Sequence, residues 1–150
     1  MTGINHAITG ALVAVAVKQP ALALPMAFLS HFVIDAIPHY DHKDLLGRRR
    51  LYKIVLVLDA ILSLGLLVVL VMILKQPPWI IISCGLLGIL PDAMWLPTIL
   101  QGRLPRINKA TLLGQLRQFH KTIQWSEGRR GLYVEIMWFM AMLILVLYIG

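Results

Sequence analysis

The sequence predicts an all-α fold: a polytopic membrane bundle of about five hydrophobic helices, with one amphipathic helix on the cytoplasmic side. Three observations carry this. The first is composition, with 59 % hydrophobic and only 14 % charged residues in 150 and a mean hydropathy of +0.78. A water-soluble chain of this size keeps most of its residues near its surface and cannot bury that much apolar sequence. The second is that the apolar residues fall into five stretches, and the third is a one-sided distribution of Lys and Arg. No composition shift divides residues 1–150, so they read as a single integral membrane domain.

The stretches are Gly3 to Val17, Pro20 to Ile37, Ile54 to Leu74, Trp79 to Leu100 and Leu132 to Ile149. The last three are long enough for a hydrocarbon core that takes about 20 helical residues to cross. The first two are shorter. They read either as a re-entrant hairpin turning at Lys18-Gln19-Pro20 or as two short spans in thinned bilayer. No Lys or Arg precedes the first stretch, which argues against a cleaved signal peptide. Cys84, the single cysteine, lies in an apolar run and reads as a small hydrophobe.

If all five stretches cross, the N-terminus, Pro38–Lys53 and the basic segment 101–131 share one side. That side carries Lys43, Arg48, Arg49, Arg50, Lys53, Arg103, Arg106, Lys109, Arg117, Lys121, Arg129 and Arg130, against Lys18 and Lys75 on the other. The positive-inside rule places it in the cytoplasm, with Gly150 outside. A hairpin for the first pair leaves the parity unchanged. The formal charge of +7 is then a topology signal with a secondary attraction to anionic lipid. With no groove-reading motif, nucleic acid is not an expected partner. Within 101–131, Asn108 is a candidate N-cap, and Leu112, Leu116, Phe119 and Ile123 recur at helical spacing. The helix they define lies on the membrane or packs over the cytoplasmic mouth, with Trp125 as an interface anchor.

The ionisable residues carry the chemistry. The run from Ser30 to His42 holds His31, Asp35, His39, Asp41 and His42. His31 and Asp35 are four apart, so a helix places them on one face, within reach of a common ion. Pro38 disfavours helix at Ile37 and puts the later members on a turn that folds back toward the first two. Asp59 falls roughly 9 Å inside the third stretch, and Asp92 roughly 12 Å from the cytoplasmic end of the fourth, at the helical rise. Glu135 opens the fifth stretch and His6 the first. Intramembrane carboxylates cost about 2.5–3.5 kcal/mol each, so they usually face a partner or a cavity. Their common depth predicts one shared site near the cytoplasmic face. Plainer readings stand beside this. His39 and His42 also fit interfacial histidines, and His31 with Asp35 a buried hydrogen-bonded pair. Asp59 also fits pairing with Lys53 or Arg50, and Glu135 with Arg129 or Arg130. His120 is a lone histidine on the flank of the amphipathic stripe. There is no His-Glu-x-x-His, no Gly-x-Ser-x-Gly and no Gly-rich phosphate loop, so a metal site would be assembled from several helices.

The segments His6-Ala7-Ile8-Thr9-Gly10, Ser30-His31 with Asp35, Pro38-His39, Asp41-His42 and Leu90-Pro91-Asp92 give the chain a resemblance covering most of its length. It resembles the small bacterial and archaeal integral-membrane proteins known as membrane-bound metal-dependent hydrolases, a group linked to zinc-dependent phospholipase C. The resemblance implies metal ligands at His6, His31, Asp35, His39 and Asp92. A later His-Arg-Gly-x-Thr-His-Ser-like element is replaced here by Phe119-His120-Lys121-Thr122, which leaves His120 outside the implied set.

The resulting expectation is a metal-dependent hydrolase in a prokaryotic cytoplasmic membrane, with a phosphoester or anionic, lipid-like substrate. Imidazole and carboxylate together suit zinc, iron or manganese without picking one; the resemblance makes zinc the first expectation, with manganese or iron as alternatives. Asp59 or Glu135 would act as acid/base or supporting groups. Two other classes fit the same residues: an ion or proton relay through a polar cavity, and a non-catalytic membrane partner that docks through its basic segment.

Overall fold

The computed structural model describes residues 1–40, 48–97 and 107–150, with the Arg49 side chain excepted. Asp41 and His42, and with them the turn expected to carry them, lie outside the described residues, as does the basic segment as far as Arg106. Within the described residues the chain is all-helical. The helices are α1 (Gly3–Ala16), α2 (Pro20–Asp35), α3 (Arg49–Ile73), α4 (Pro78–Ile89), α5 (Leu112–Ile123) and α6 (Gly131–Ile149), with a 3-10 segment at Leu90–Trp95 after α4.

Among the described residues, three segments are long and apolar enough to cross a membrane: Arg50–Ile73, Pro78–Trp95 and Gly131–Ile149. Of the five expected stretches, the first two form shorter helices of 14 and 16 residues, about 21 and 24 Å long at the helical rise. The outer faces of α3 and α6 expose Val57, Leu58, Ile61, Leu62, Val68, Met72, Ile136, Met137, Ile144 and Leu147. An apolar surface this continuous is stable against lipid and not against water, which makes this a membrane protein.

The short helix α1 sits at the centre, against α2, α3, α4 and α6. Its small residues allow that. Ala7, Ala11 and Ala14 are buried, and Gly10 meets the Cys84 backbone so closely that a Cβ would overlap its carbonyl. Backbones approach like this where small residues line the contact. Helix α1 is tied to α6 by two side-chain bonds: Trp138 Nε1 donates to Thr9 Oγ1 at 3.0 Å, and Asn5 Nδ2 to the Glu135 carbonyl at 3.3 Å.

The N-terminus of α1 has no side-chain cap of its own. Asp59, from α3, supplies one: it accepts from the N–H of Gly3 at 2.6 Å and of Ile4 at 3.2 Å. A carboxylate there satisfies orphan donors and meets the positive end of the helix dipole. Asp59→Ala is expected to cost about 1–2 kcal/mol, the range of a lost N-cap. Thermal unfolding in detergent micelles measures it, and an unchanged midpoint would contradict the role.

The fourth stretch changes character where proline requires it. Pro91 has no N–H and crowds the preceding turn, and the helix tightens to 3-10 pairing over Leu90–Trp95. In α pairing the Gly88 carbonyl would accept from Asp92; in i to i+3 pairing it is open to another donor. Helix α5 begins later than Asn108 suggests. Thr111 is its N-cap, accepting from the Gly114 N–H, while Asn108 Oδ1 accepts from Ala110 in the turn before it. The helix turns one polar stripe, Arg117, His120 and Gln124, inward. His120 and Gly114 are buried while Leu112, Leu113 and Phe119 are exposed, and Trp125 is exposed beyond its end.

Candidate metal centre

Four elements deliver side chains to one buried point. His6 comes from α1, His31 and Asp35 from α2, Asp92 from the 3-10 segment and His120 from α5. One ligand atom each from His31, Asp35, Asp92 and His120 lies within 4.8 Å of the others, and the group can hold a metal ion. His31 Nε2 is 3.3 Å from Asp35 Oδ2 and 3.6 Å from Asp92 Oδ1. His120 Nε2 is 2.8 Å from Asp35 Oδ2 and 3.8 Å from Asp92 Oδ1. Around a tetrahedral ion with bonds of 2.0–2.1 Å, ligand atoms stand about 3.3 Å apart. The observed separations bracket that value, and the mixed imidazole and carboxylate donors suit a divalent transition metal.

The histidine hydrogen bonds define what each ring offers. His31 Nδ1 lies 2.8 Å from the Gly88 carbonyl, the one released by the 3-10 turn. A carbonyl only accepts, so Nδ1 carries the proton and Nε2 presents its lone pair to the group. His120 is the reverse. Trp95 Nε1, a donor only, lies 2.8 Å from His120 Nδ1, so in the neutral ring the proton sits on Nε2. From there it is shared with Asp35 Oδ2 and with His31 Nε2, 2.9 Å away. Gln124 Nε2 donates to Asp35 Oδ2 at 3.1 Å. Arg117 fixes the same face of α5, donating to the Met94 carbonyl and lying over the Trp95 ring at 5.7 Å.

Among the described residues, the His6, His31, Asp35 and His120 side chains are 0 % exposed and that of Asp92 is 36 % exposed.

Of the residues singled out in the sequence, the structure brings His6, His31, Asp35 and Asp92 together. His39 lies apart from them. With α2 ended at Asp35, the chain turns through Ala36–Ile37 before Pro38. His39 Nδ1 donates to the Ile37 carbonyl at 2.9 Å, and Nε2 faces Glu127 at 3.8 Å. The His39 carbonyl accepts from Gly128, and the ring belongs to the loop that leads into α6. Asp59 and Glu135 are engaged by backbone: Asp59 with Gly3 and Ile4, Glu135 with the N–H of Thr2 at 3.3 Å and of Tyr40 at 3.0 Å. They hold the N-terminal turn of α1, which places His6. His120 joins the group although the sequence left it out. The available signal was the polar face of α5, where Arg117, His120 and Gln124 recur at three and four residues.

Comparison with protein-family models, with curated proteins and with solved structures found no match.

Proposed function

We propose that the protein is a membrane-embedded, divalent-metal-dependent hydrolase acting on a phosphoester or other anionic, lipid-like substrate at the cytoplasmic membrane face. The observation that carries this reading is the buried convergence of His31, Asp35, Asp92 and His120 from three separate elements. Buried carboxylates and imidazoles in an apolar protein are costly unless paired, and a cluster of them drawn from several helices is a functional-site candidate. The basic residues of the segment 101–131 favour negatively charged substrates.

A bound divalent ion supplies Lewis acidity and a water of lowered pKa. His31 Nε2, Asp35 and Asp92 are the residues that would hold it, and their mixed imidazole and carboxylate donors are compatible with zinc, manganese or iron. His120 borders them and holds a proton at Nε2. Trp95 keeps that proton in place by occupying Nδ1, and it stands ready for a leaving oxygen. Gln124 steadies Asp35 in the orientation the ring requires. Helix α5 closes the site from the side where its polar face is buried.

The test is hydrolysis of a phosphoester by the full chain in micelles or nanodiscs, before and after metal removal and reloading. Activity is expected to vanish with a chelator and return with a divalent ion. His120→Gln is expected to keep bound metal while losing about 100-fold or more in kcat, the scale of a missing acid or base. If the wild type retains no more metal than His31→Ala plus Asp35→Ala, the hydrolase reading is wrong.

A further inference from the structure

His6 stands outside the four-residue group yet is the most exposing clue to what the site takes. Its side chain is completely buried, and neither Nδ1 nor Nε2 has a hydrogen-bond partner. A buried imidazole without partners forfeits the full desolvation cost of its polar atoms. The ring is not stranded at random. It stacks on His31 with centroids 3.9 Å apart and planes 17° from parallel, and Nε2 of both rings faces the same two carboxylates.

The carboxylates divide their oxygens between the two rings. Asp35 turns Oδ2 to His31 at 3.3 Å and Oδ1 to His6 at 3.1 Å, a close approach whose alignment is not that of a hydrogen bond. Asp92 turns Oδ1 to His31 at 3.6 Å and Oδ2 to His6 at 3.9 Å. Each aspartate therefore spans from one ring's side to the other. The Asp35 oxygen on the His6 side now accepts from the Met1 ammonium, which an ion bound there would displace.

We propose that the site is dinuclear, with Asp35 and Asp92 bridging two divalent ions, one terminated by His31 and the other by His6. This rests on the metal-dependent reading above and deepens it. Two-metal centres hold their ions about 3.5–4 Å apart, and the stacking distance of the two imidazoles, 3.9 Å, matches that spacing. The proposal gives His6 Nε2 the partner it lacks. It also narrows the substrate class. Two divalent ions against two aspartates leave a surplus positive charge in a low-dielectric interior, which a phosphate ester offsets, with its oxygens able to reach both ions.

The experiment is a manganese titration of the full chain in detergent micelles, read by metal content and by electron paramagnetic resonance. Wild type is expected to bind two equivalents and to show the spectrum of a spin-coupled pair. His6→Gln is expected to bind one equivalent with the hyperfine pattern of an isolated ion, and His31→Gln likewise. One equivalent in the wild type with an isolated-ion spectrum would overturn the dinuclear site, leaving the Met1 ammonium as the cation at Asp35 Oδ1 and the hydrolase reading intact. Two equivalents retained in a folded His6→Gln would remove His6 from the site and overturn the proposal. No bound manganese, zinc or iron in the wild type would overturn both. Should His6→Gln fail to fold, the wild-type stoichiometry and spectrum decide alone.

Discussion

Asp35→Asn is expected to abolish metal binding, weakening it by more than about 100-fold, beyond what loss of an outer hydrogen-bonding partner costs. The side chains are nearly the same shape, so the change isolates charge. Asp35 is the hub of the site: its carboxylate lies 2.8 Å from His120 Nε2, 3.1 Å from His6 Nε2 and 3.3 Å from His31 Nε2. With Asn, one oxygen becomes an amide donor that repels a cation, and the remaining oxygen is a neutral acceptor. Metal content after purification and competition against a chelating dye measure the loss. Helix content by circular dichroism should be unchanged, because Asn has nearly the shape of Asp and residue 35 lies at the last position of α2. Affinity within a factor of a few of wild type would remove Asp35 from the centre.

The second large effect is expected at Gly88. A Cβ there would stand 2.5 Å from the His6 carbonyl oxygen, and a backbone atom held in a helix cannot yield as the end of a side chain does. Gly88→Ala must therefore push α1 away from α4. Overpacking of this kind costs about 1–3 kcal/mol. It also displaces two of the site's fixtures at once, since the Gly88 carbonyl accepts from His31 Nδ1 and the glycine packs against the His6 backbone. The expected result is a lower unfolding midpoint together with weakened metal binding. Gly65, in α3, has nothing within 4 Å of its Cβ position. Gly65→Ala is expected to be neutral or stabilising by up to about 1 kcal/mol through helix propensity. Equal responses at the two glycines would show that close packing of α1 on α4 is not what positions the site.

The apolar stretches of the sequence are legible because lipid-facing helices leave a simple record: every position on the outer face is apolar, and the ends coincide with polar or proline residues. The 3-10 turn at Leu90–Trp95 follows from Pro91 for the same local reason. His31 with Asp35 was equally legible, since a spacing of four puts two side chains on one helical face without reference to anything else. Asp92 and His6 were found by depth along their helices, and Asp59 and Glu135 by the same measure. Depth, however, does not distinguish a carboxylate facing a metal site from one capping a neighbouring helix, which is what Asp59 does for α1.

Membrane residence and the His31 and Asp35 pair were thus determined by the sequence alone, because composition and helical periodicity are properties of a single segment. Tertiary structure decided the rest. It carried His120 to Asp35, 85 residues away, by burying the polar face of α5, and it turned His39 toward Glu127 by ending α2 before Pro38. It also stacked His6 on His31 across the α1–α2 hairpin. A metal centre is defined by distances between atoms on different helices, and those distances are set by how closely the backbones pack. Here Gly10 and Gly88 set that approach.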